Sequence, residues 1–88
     1  SYLDSLGWVL FKQGKAKEAK PYLLEAANDP EGHNLEILDH LGDVHLALGE
    51  KAEALAAYKK GLEYATSSKR DQKRKAEVEK KIKALEGK

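Results

Sequence analysis

Two stretches of this sequence repeat each other at an offset of 35 residues. The Leu6-Gly7 pair recurs as Leu41-Gly42, and eight positions are identical within a window of 17 residues. The identical pairs are Leu3/Leu38, Asp4/Asp39, Leu6/Leu41, Gly7/Gly42, Val9/Val44, Gly14/Gly49, Glu18/Glu53 and Ala19/Ala54. Self-similarity of this period is typical of helical repeat arrays. It predicts an all-α scaffold that binds other chains and seldom carries chemistry itself.

Apolar residues spaced by three and four predict a helix over residues 2–13, with Leu3, Leu6 and Leu10 directed into the core. Gly14 should end this helix in the left-handed conformation. A second helix is predicted from about Lys15 to Asn28 and is followed by a loop over residues 28–34. The pattern then repeats, with a helix ending at Gly49 and a further helix after it. Asn34 is the predicted N-cap of the first of these two helices, because its side-chain oxygen can accept a free backbone N–H.

The last segment departs from the repeat. Ser68 and Asp71 resemble a capping box, so a fifth helix should begin near Lys69. Lys73 and Glu77 stand where the repeats have leucine and glycine, which indicates that the array stops here. The remaining apolar stripe consists of Ala76, Val78, Ile82 and Leu85. A narrow stripe with a polar back is typical of a terminal capping helix.

Charge is distributed unevenly. Residues 1–68 hold seven Lys/Arg and eleven Asp/Glu, whereas residues 69–88 hold nine and four. The repeat body is therefore acidic and the tail basic, although the net charge is +1.

The chain has no cysteine, which excludes disulfides and thiolate metal sites and favours a cytoplasmic location. No apolar run approaches the ~20 residues that span a bilayer. The absence of an initiator Met suggests a piece of a longer protein, including its last repeats.

These residues resemble the tetratricopeptide repeat family, whose 34-residue unit is a helix–turn–helix. The first unit matches at Leu3, Leu6-Gly7, Leu10, Ala19, Leu23, Ala26 and Pro30, and the second at Leu38, Leu41-Gly42, Ala54 and Tyr58. The stretch around Trp8 looks like the C-terminal repeats of bacterial members. The departures are Gly61 and Thr66 at family Ala and Pro positions, His45 at a core position, and one extra residue in the Pro30–Asn34 turn. His45 is expected to make an ordinary hydrogen bond there.

The resemblance implies an all-α right-handed superhelix in one domain: a first repeat over residues 1–34, a second over 35–68, and a basic capping helix over 69–88. It also implies that the first helices of successive repeats line a concave, partner-binding groove. The corresponding positions are Asp4, Trp8, Phe11, Lys12, Glu36, Asp39, Asp43, Leu46 and Ala47. Spacings of four and three place these residues on a shared helix face.

Trp8 and Phe11 are the only Trp and the only Phe, and aromatic anchors commonly supply binding energy in grooves. The alternative is that Trp8 packs against a neighbouring repeat. As a group, the acidic positions beside it favour a protein or peptide partner with apolar and basic residues. For any one of these acids taken alone, a solvated helix face is the favoured explanation. Chaperone-adaptor members of the family bind a C-terminal carboxylate with a clamp that includes a Lys and an Asn. Asp4 and Trp8 occupy those two positions here, so an acidic chaperone tail is not expected as a ligand.

Other functions fit less well. His40 and His45 are five apart, and joining them to Glu36, Asp39 or Asp43 gives no recognised metal geometry. No nucleophile–base pair or phosphate loop is visible, so we expect neither an enzyme nor a cofactor nor a small-molecule substrate. The basic run over residues 69–75 could meet nucleic acid or an anionic membrane surface, but it lacks aromatics for base stacking and a charged capping helix explains it. Structural capping of a longer array, or self-association, remains the alternative function.

Overall fold

Five helices follow one another along the described part of the computed structural model, residues 2–30 and 33–87. They are α1 (Tyr2–Lys12), α2 (Ala16–Asn28), α3 (Leu35–Ala47), α4 (Lys51–Glu63) and α5 (Lys69–Glu86). No strand occurs in these ranges, so the all-α prediction is confirmed. α1 pairs with α2 and α3 with α4, while α2 also packs on α3, and α5 lies against α4 and α3.

Turns between paired helices depend on glycine. Gly14 and Gly49 have φ values of +81° and +78°, a left-handed conformation that other residues adopt only at a cost. The first helix ends at Lys12 and the third at Ala47, slightly earlier than predicted, because the residues before each glycine already form the turn. The extra residue is predicted in the Pro30–Asn34 turn, of which Glu31 and Gly32 lie outside the described residues.

Side-chain caps begin α3 and α5. Asn34 Oδ1 accepts a hydrogen bond from the Ile37 N–H at 2.9 Å, which confirms the predicted N-cap. Ser68 Oγ accepts the Asp71 N–H at 3.2 Å. The reciprocal half of the predicted capping box differs, because the Asp71 carboxylate accepts the Thr66 N–H at 2.8 Å instead of that of Ser68. This bond, followed by that from the Thr66 hydroxyl, holds the pKa of Asp71 below its ordinary value.

The repeated glycines let paired helices approach closely. A Cβ at Gly7 would lie 2.9 Å from Leu23 Cγ and 3.3 Å from the Ala19 carbonyl oxygen. A Cβ at Gly42 would overlap the ring of Tyr58, which is fully buried between α3 and α4. The second repeat is thus built around a buried tyrosine where the first has Leu23.

The core is concentrated in the middle of the stack. α3 is buried on most sides, whereas the predicted core residues Leu3, Leu6 and Leu10 of α1 are only half-buried. Within α1, the buried positions are Asp4 and Gly7. The physical reason is that α3 has helices on both sides in the described structure, while α1 has α2 and α3 on one side only.

At the opposite end, α5 covers the second repeat. Val78 and Ile82 are buried against Leu35, Ala54 and Tyr58. Leu85 is half-buried at the edge of this cluster, as its place in the predicted stripe requires. The polar remainder of α5 faces solvent, apart from the two basic side chains described below.

Candidate functional site

α1, α3 and α5 lie side by side and bring together side chains of one common face, which we call the α1/α3/α5 face. The repeat register explains this arrangement, because Asp4, Asp39 and Arg74 are equivalent at the 35-residue offset. Phe11, Leu46 and Lys81 form a second equivalent set. Hydrogen bonds connect α1 to α3 and α3 to α5 across this face.

The half of the face that joins α1 to α3 is aromatic. The ring of Trp8 stacks on that of His40, with centroids 3.8 Å apart and planes 11° apart. Phe11 stacks on Trp8 at 5.0 Å, and the Lys12 ammonium lies 5.6 Å from the Trp8 ring centroid. His40 is fixed in turn by a 2.9 Å hydrogen bond between its Nδ1 and Asp4 Oδ1. Trp8 therefore contacts the second repeat while part of its ring stays accessible.

The half of the face that joins α3 to α5 is an ion-pair network. Asp39 accepts hydrogen bonds from Arg74 Nη1 and Lys81 Nζ, each at 2.8 Å. Lys81 Nζ also donates to Asp43 Oδ1 at 3.1 Å, and the Tyr58 hydroxyl donates to the same oxygen at 2.6 Å. The basic helix thereby docks on the acidic repeat body of its own chain.

This network changes how Lys81 and Tyr58 ionise. Burial alone would lower the pKa of Lys81, but hydrogen bonds and charges from Asp39 and Asp43 outweigh it, and the net pKa is raised. Burial, followed by the hydrogen bond to Asp43, raises the pKa of Tyr58 far above its usual value. Lys81 therefore stays charged and Tyr58 stays neutral at neutral pH.

The acids on this face are less available than the sequence suggests. Asp4 and Asp39 are buried, and Asp43 is bound by Lys81 and Tyr58. Only the Glu36 side chain is substantially accessible, at 41%, with Arg74 Nη2 3.9 Å away. An open acidic rim formed by all four carboxylates is therefore not what the structure contains. Asp39 and Asp43 are bound by basic side chains of α5, whereas Asp4 is buried and paired with His40 of α3.

The remaining predicted site residues stay at the solvent boundary. Leu46 is 41% exposed, and Lys12 and Ala47 are exposed as well. The sequence reasoning missed His40, Tyr58, Arg74 and Lys81 as members of this face. Extending the 35-residue register into α5 would have found Arg74 and Lys81. No comparable signal points to His40, because its equivalent in the first repeat is Ser5.

Three side chains of this face could in principle hold a metal ion. Ligand atoms of Asp4, Glu36 and His40 lie within 4.8 Å of one another. Asp4 and His40 are hydrogen-bonded to each other at 2.9 Å, and Arg74 Nη2 lies 3.9 Å from Glu36. All three side chains therefore already have partners, and this pairing would compete with metal binding. The predicted ordinary hydrogen bond of His45 is confirmed: its Nδ1 lies 2.7 Å from Glu50 Oε1.

The basic run of α5 divides between two environments. Arg74 turns inward to Asp39, whereas Lys69, Arg70 and Lys73 are exposed. No helix in the described ranges has both the length and the apolar character needed to cross a bilayer.

Comparison with known families agrees with this architecture. Two models described as tetratricopeptide repeat match the chain, one over residues 1–28 and the other over residues 35–68, together more than half of its length. Searches of curated proteins and of solved structures give no significant match. The chain therefore belongs to the tetratricopeptide repeat family, whose repeats generally mediate protein–protein interactions and are typically non-catalytic.

Proposed function

We propose that the α1/α3/α5 face is a concave groove that binds a peptide or partner segment without catalysis. The observation that carries this proposal is that Trp8 is fixed by stacking but only half-buried. Its ring is held by stacking on His40 and Phe11, yet part of it remains accessible. A rigid, partly exposed aromatic ring offers contact area at little cost in conformational entropy, which is the character of a binding anchor.

The partner's chemistry follows from what stays accessible on the groove. Trp8, Phe11 and the exposed Leu46 favour apolar side chains. Glu36 favours one basic residue near them, because the other carboxylates are bound internally. The partner is thus an apolar segment with a single well-placed Lys or Arg, a narrower class than the sequence suggests.

We further propose that residues 1–34, 35–68 and 69–88 act as first repeat, second repeat and capping helix of one domain. The burial of Leu35 and Tyr58 under Val78 supports the capping role. The same observation favours a second function, in which these repeats terminate a longer array.

Selection from a phage-displayed library of random dodecapeptides tests the groove. Selected peptides should carry apolar residues and one Lys or Arg, and their titration should change the emission of Trp8, the only tryptophan. Leu46→Ala should weaken binding about fivefold and Glu36→Gln about threefold, the effects of one apolar contact and one accessible ion pair.

Leu24→Ala is the matched control, because Leu24 has a similar exposure of 38% but lies on α2 outside the groove. Its affinity should equal that of the unchanged protein. Peptides that bind equally well to Leu46→Ala and leave Trp8 emission unaltered would contradict the groove proposal.

A further inference from the structure

A cavity of about 310 Å³ lies between α2, α3 and α4, on the face of α3 turned away from the groove. It exists because its walls are built from small side chains, Ala27 of α2 and the pair Ala56 and Ala57 of α4. That pair stands where the first repeat has Pro21 and Tyr22, and Ala27 stands where the second repeat has a leucine. Two leucines and a histidine of α3 complete the lining.

The histidine of this lining is buried and has a fixed tautomer. His45 is 6% exposed, and its counterpart in the first repeat is the apolar Leu10. Its Nδ1 lies 2.7 Å from Glu50 Oε1. Hydrogen bonds from Lys20 and then from His45 lower the pKa of Glu50, so this carboxylate is ionised at neutral pH and can only accept. The ring therefore carries its proton on Nδ1, and Nε2 of the neutral ring is a hydrogen-bond acceptor.

The second ring nitrogen of His45 faces the cavity. Nε2 has no hydrogen-bond partner among the described residues. No buried side-chain nitrogen or oxygen of these residues lacks a partner, so Nε2 must keep some accessible surface. Because the ring lines the cavity, this surface opens into it. An apolar cavity with one acceptor in its lining fits a ring that carries one donor.

Charged side chains flank the cavity on α4. Glu53 and Lys60 are seven residues apart, about 10 Å along the helix, with Ala56 and Ala57 between them. Both are exposed, and in the part of the chain that the structure describes neither forms an ion pair. A segment lying across the cavity would therefore meet an acid on one side and a base on the other.

We propose that this cavity binds a tyrosine side chain of a partner chain, in a segment with a basic residue on one side of the tyrosine and an acidic residue on the other. The tyrosine ring fills the apolar space, and its hydroxyl donates to His45 Nε2. The flanking residues pair with Glu53 and Lys60, which selects a peptide over a free phenol. This site is separate from the groove, so either proposal can fail without the other.

Capped pentapeptides titrated into ¹⁵N-labelled protein test the site. Each has tyrosine at its centre, alanine on either side, and lysine and glutamate at its ends, in both orders. Amide shifts should centre on Ala27 and Ala57, with a dissociation constant of ~1 mM for the better order. The matched phenylalanine peptide should bind about fivefold more weakly, the effect of one hydrogen bond. The nitrogen resonance of His45 Nε2 should shift with the tyrosine peptide and stay nearly unchanged with the phenylalanine peptide.

The two repeats supply the variants. His45→Leu copies Leu10 of the first repeat and should remove the preference for tyrosine over phenylalanine. Ala27→Leu copies Leu62 of the second repeat and should abolish binding by filling the cavity. Ala84→Leu, on the exposed side of α5, is the matched control and should bind normally. All three should retain the helical circular dichroism.

Free p-cresol identifies the source of the ring. It should bind about fivefold more weakly than the pentapeptide, and the double variant Glu53→Gln/Lys60→Gln should erase this difference. p-Cresol that binds as tightly as the pentapeptide would make a free phenol the occupant and overturn the partner chain. The site itself would be overturned by no shift at tenfold the expected dissociation constant, by equal affinity for the tyrosine and phenylalanine peptides, or by shifts centred on Trp8.

Discussion

At the scale of single residues, identical amino acids at equivalent positions of the two repeats make different contacts. Asp4 fixes His40, while its equivalent Asp39 receives Arg74 and Lys81. The repeated glycine likewise meets different neighbours: the buried side chain of Leu23 in the first repeat and the buried ring of Tyr58 in the second. Identical amino acids at equivalent positions therefore preserve the backbone arrangement, while the contacts of each side chain depend on its neighbours.

Gly42→Ala should destabilise the protein by about 1–3 kcal/mol. The new methyl would overlap the Tyr58 ring, whose Cζ would lie 2.9 Å away, and this exceeds the helix-propensity gain of about 1 kcal/mol. Gly7→Ala should cost less than Gly42→Ala, because its methyl would meet one atom below 3.0 Å, Leu23 Cγ at 2.9 Å, and the next contact is at 3.3 Å. Urea unfolding of both variants makes the comparison. Equal losses at the two positions would contradict it.

Tyr58→Phe should lower stability by about 1–2 kcal/mol at neutral pH, since it removes the hydrogen bond to Asp43. The native pKa of Tyr58 is raised, so the unfolded state loses this proton first as the pH increases. The stabilisation is therefore complete below pH ~10 and declines above it. Urea unfolding at pH 8 and pH 11 should show a smaller difference between wild type and variant at the higher pH. A difference that grows with pH would refute this account.

At the scale of elements, α5 is attached by an apolar stripe and by two basic side chains on the edge of that stripe. Arg74, Val78 and Lys81 follow one another at spacings of four and three, so one helix face both buries Val78 and reaches Asp39. The pairs are partly buried, so their removal leaves a carboxylate that water cannot readily solvate. The basic helix α5 thereby pairs with acidic side chains of the repeat body and covers its apolar core.

Lys81→Gln should cost about 1–2 kcal/mol, between the values for exposed and fully buried pairs, because Asp39 and Asp43 lose a shared cation. Lys80→Gln is the matched control on the exposed side of α5 and should change stability by less than about 0.5 kcal/mol. Chemical denaturation gives the energies, and hydrogen exchange of α5 amides localises the loss. Equal stabilities of the Lys81→Gln and Lys80→Gln variants would show that the ion-pair network does not hold α5 in place.

At the scale of the whole molecule, stability is distributed unevenly along the stack. α3 contributes nine buried residues and α1 only two, so the first repeat should open before the rest. The proposed groove includes Trp8 and Phe11 of α1, which belong to this less stable end. Binding in the groove should therefore also order α1.

Trp8 emission should report unfolding at a lower urea concentration than the circular dichroism at 222 nm, which averages over all helices. The reason is that Trp8 belongs to α1, the least buried helix of the first hairpin. Saturation with a peptide selected for the proposed groove should bring the two midpoints together, since contacts with Trp8 and Phe11 stabilise α1. Coincident transitions without peptide would mean that the stack unfolds as one unit.

The sequence by itself determined the fold family, the helix order, the glycine turns and the N-caps at Asn34 and Ser68. These features depend on residues within a few positions of one another and on a register repeated along the chain. The tertiary structure alone decided that Trp8 stacks on His40 and that Asp39 is bound by Arg74 and Lys81. Such contacts join residues more than 30 positions apart, and their existence depends on how helices pack in space. The groove itself stays a proposal, and the open acidic charge predicted beside Trp8 is absent because Asp39 and Asp43 are bound by side chains of α5.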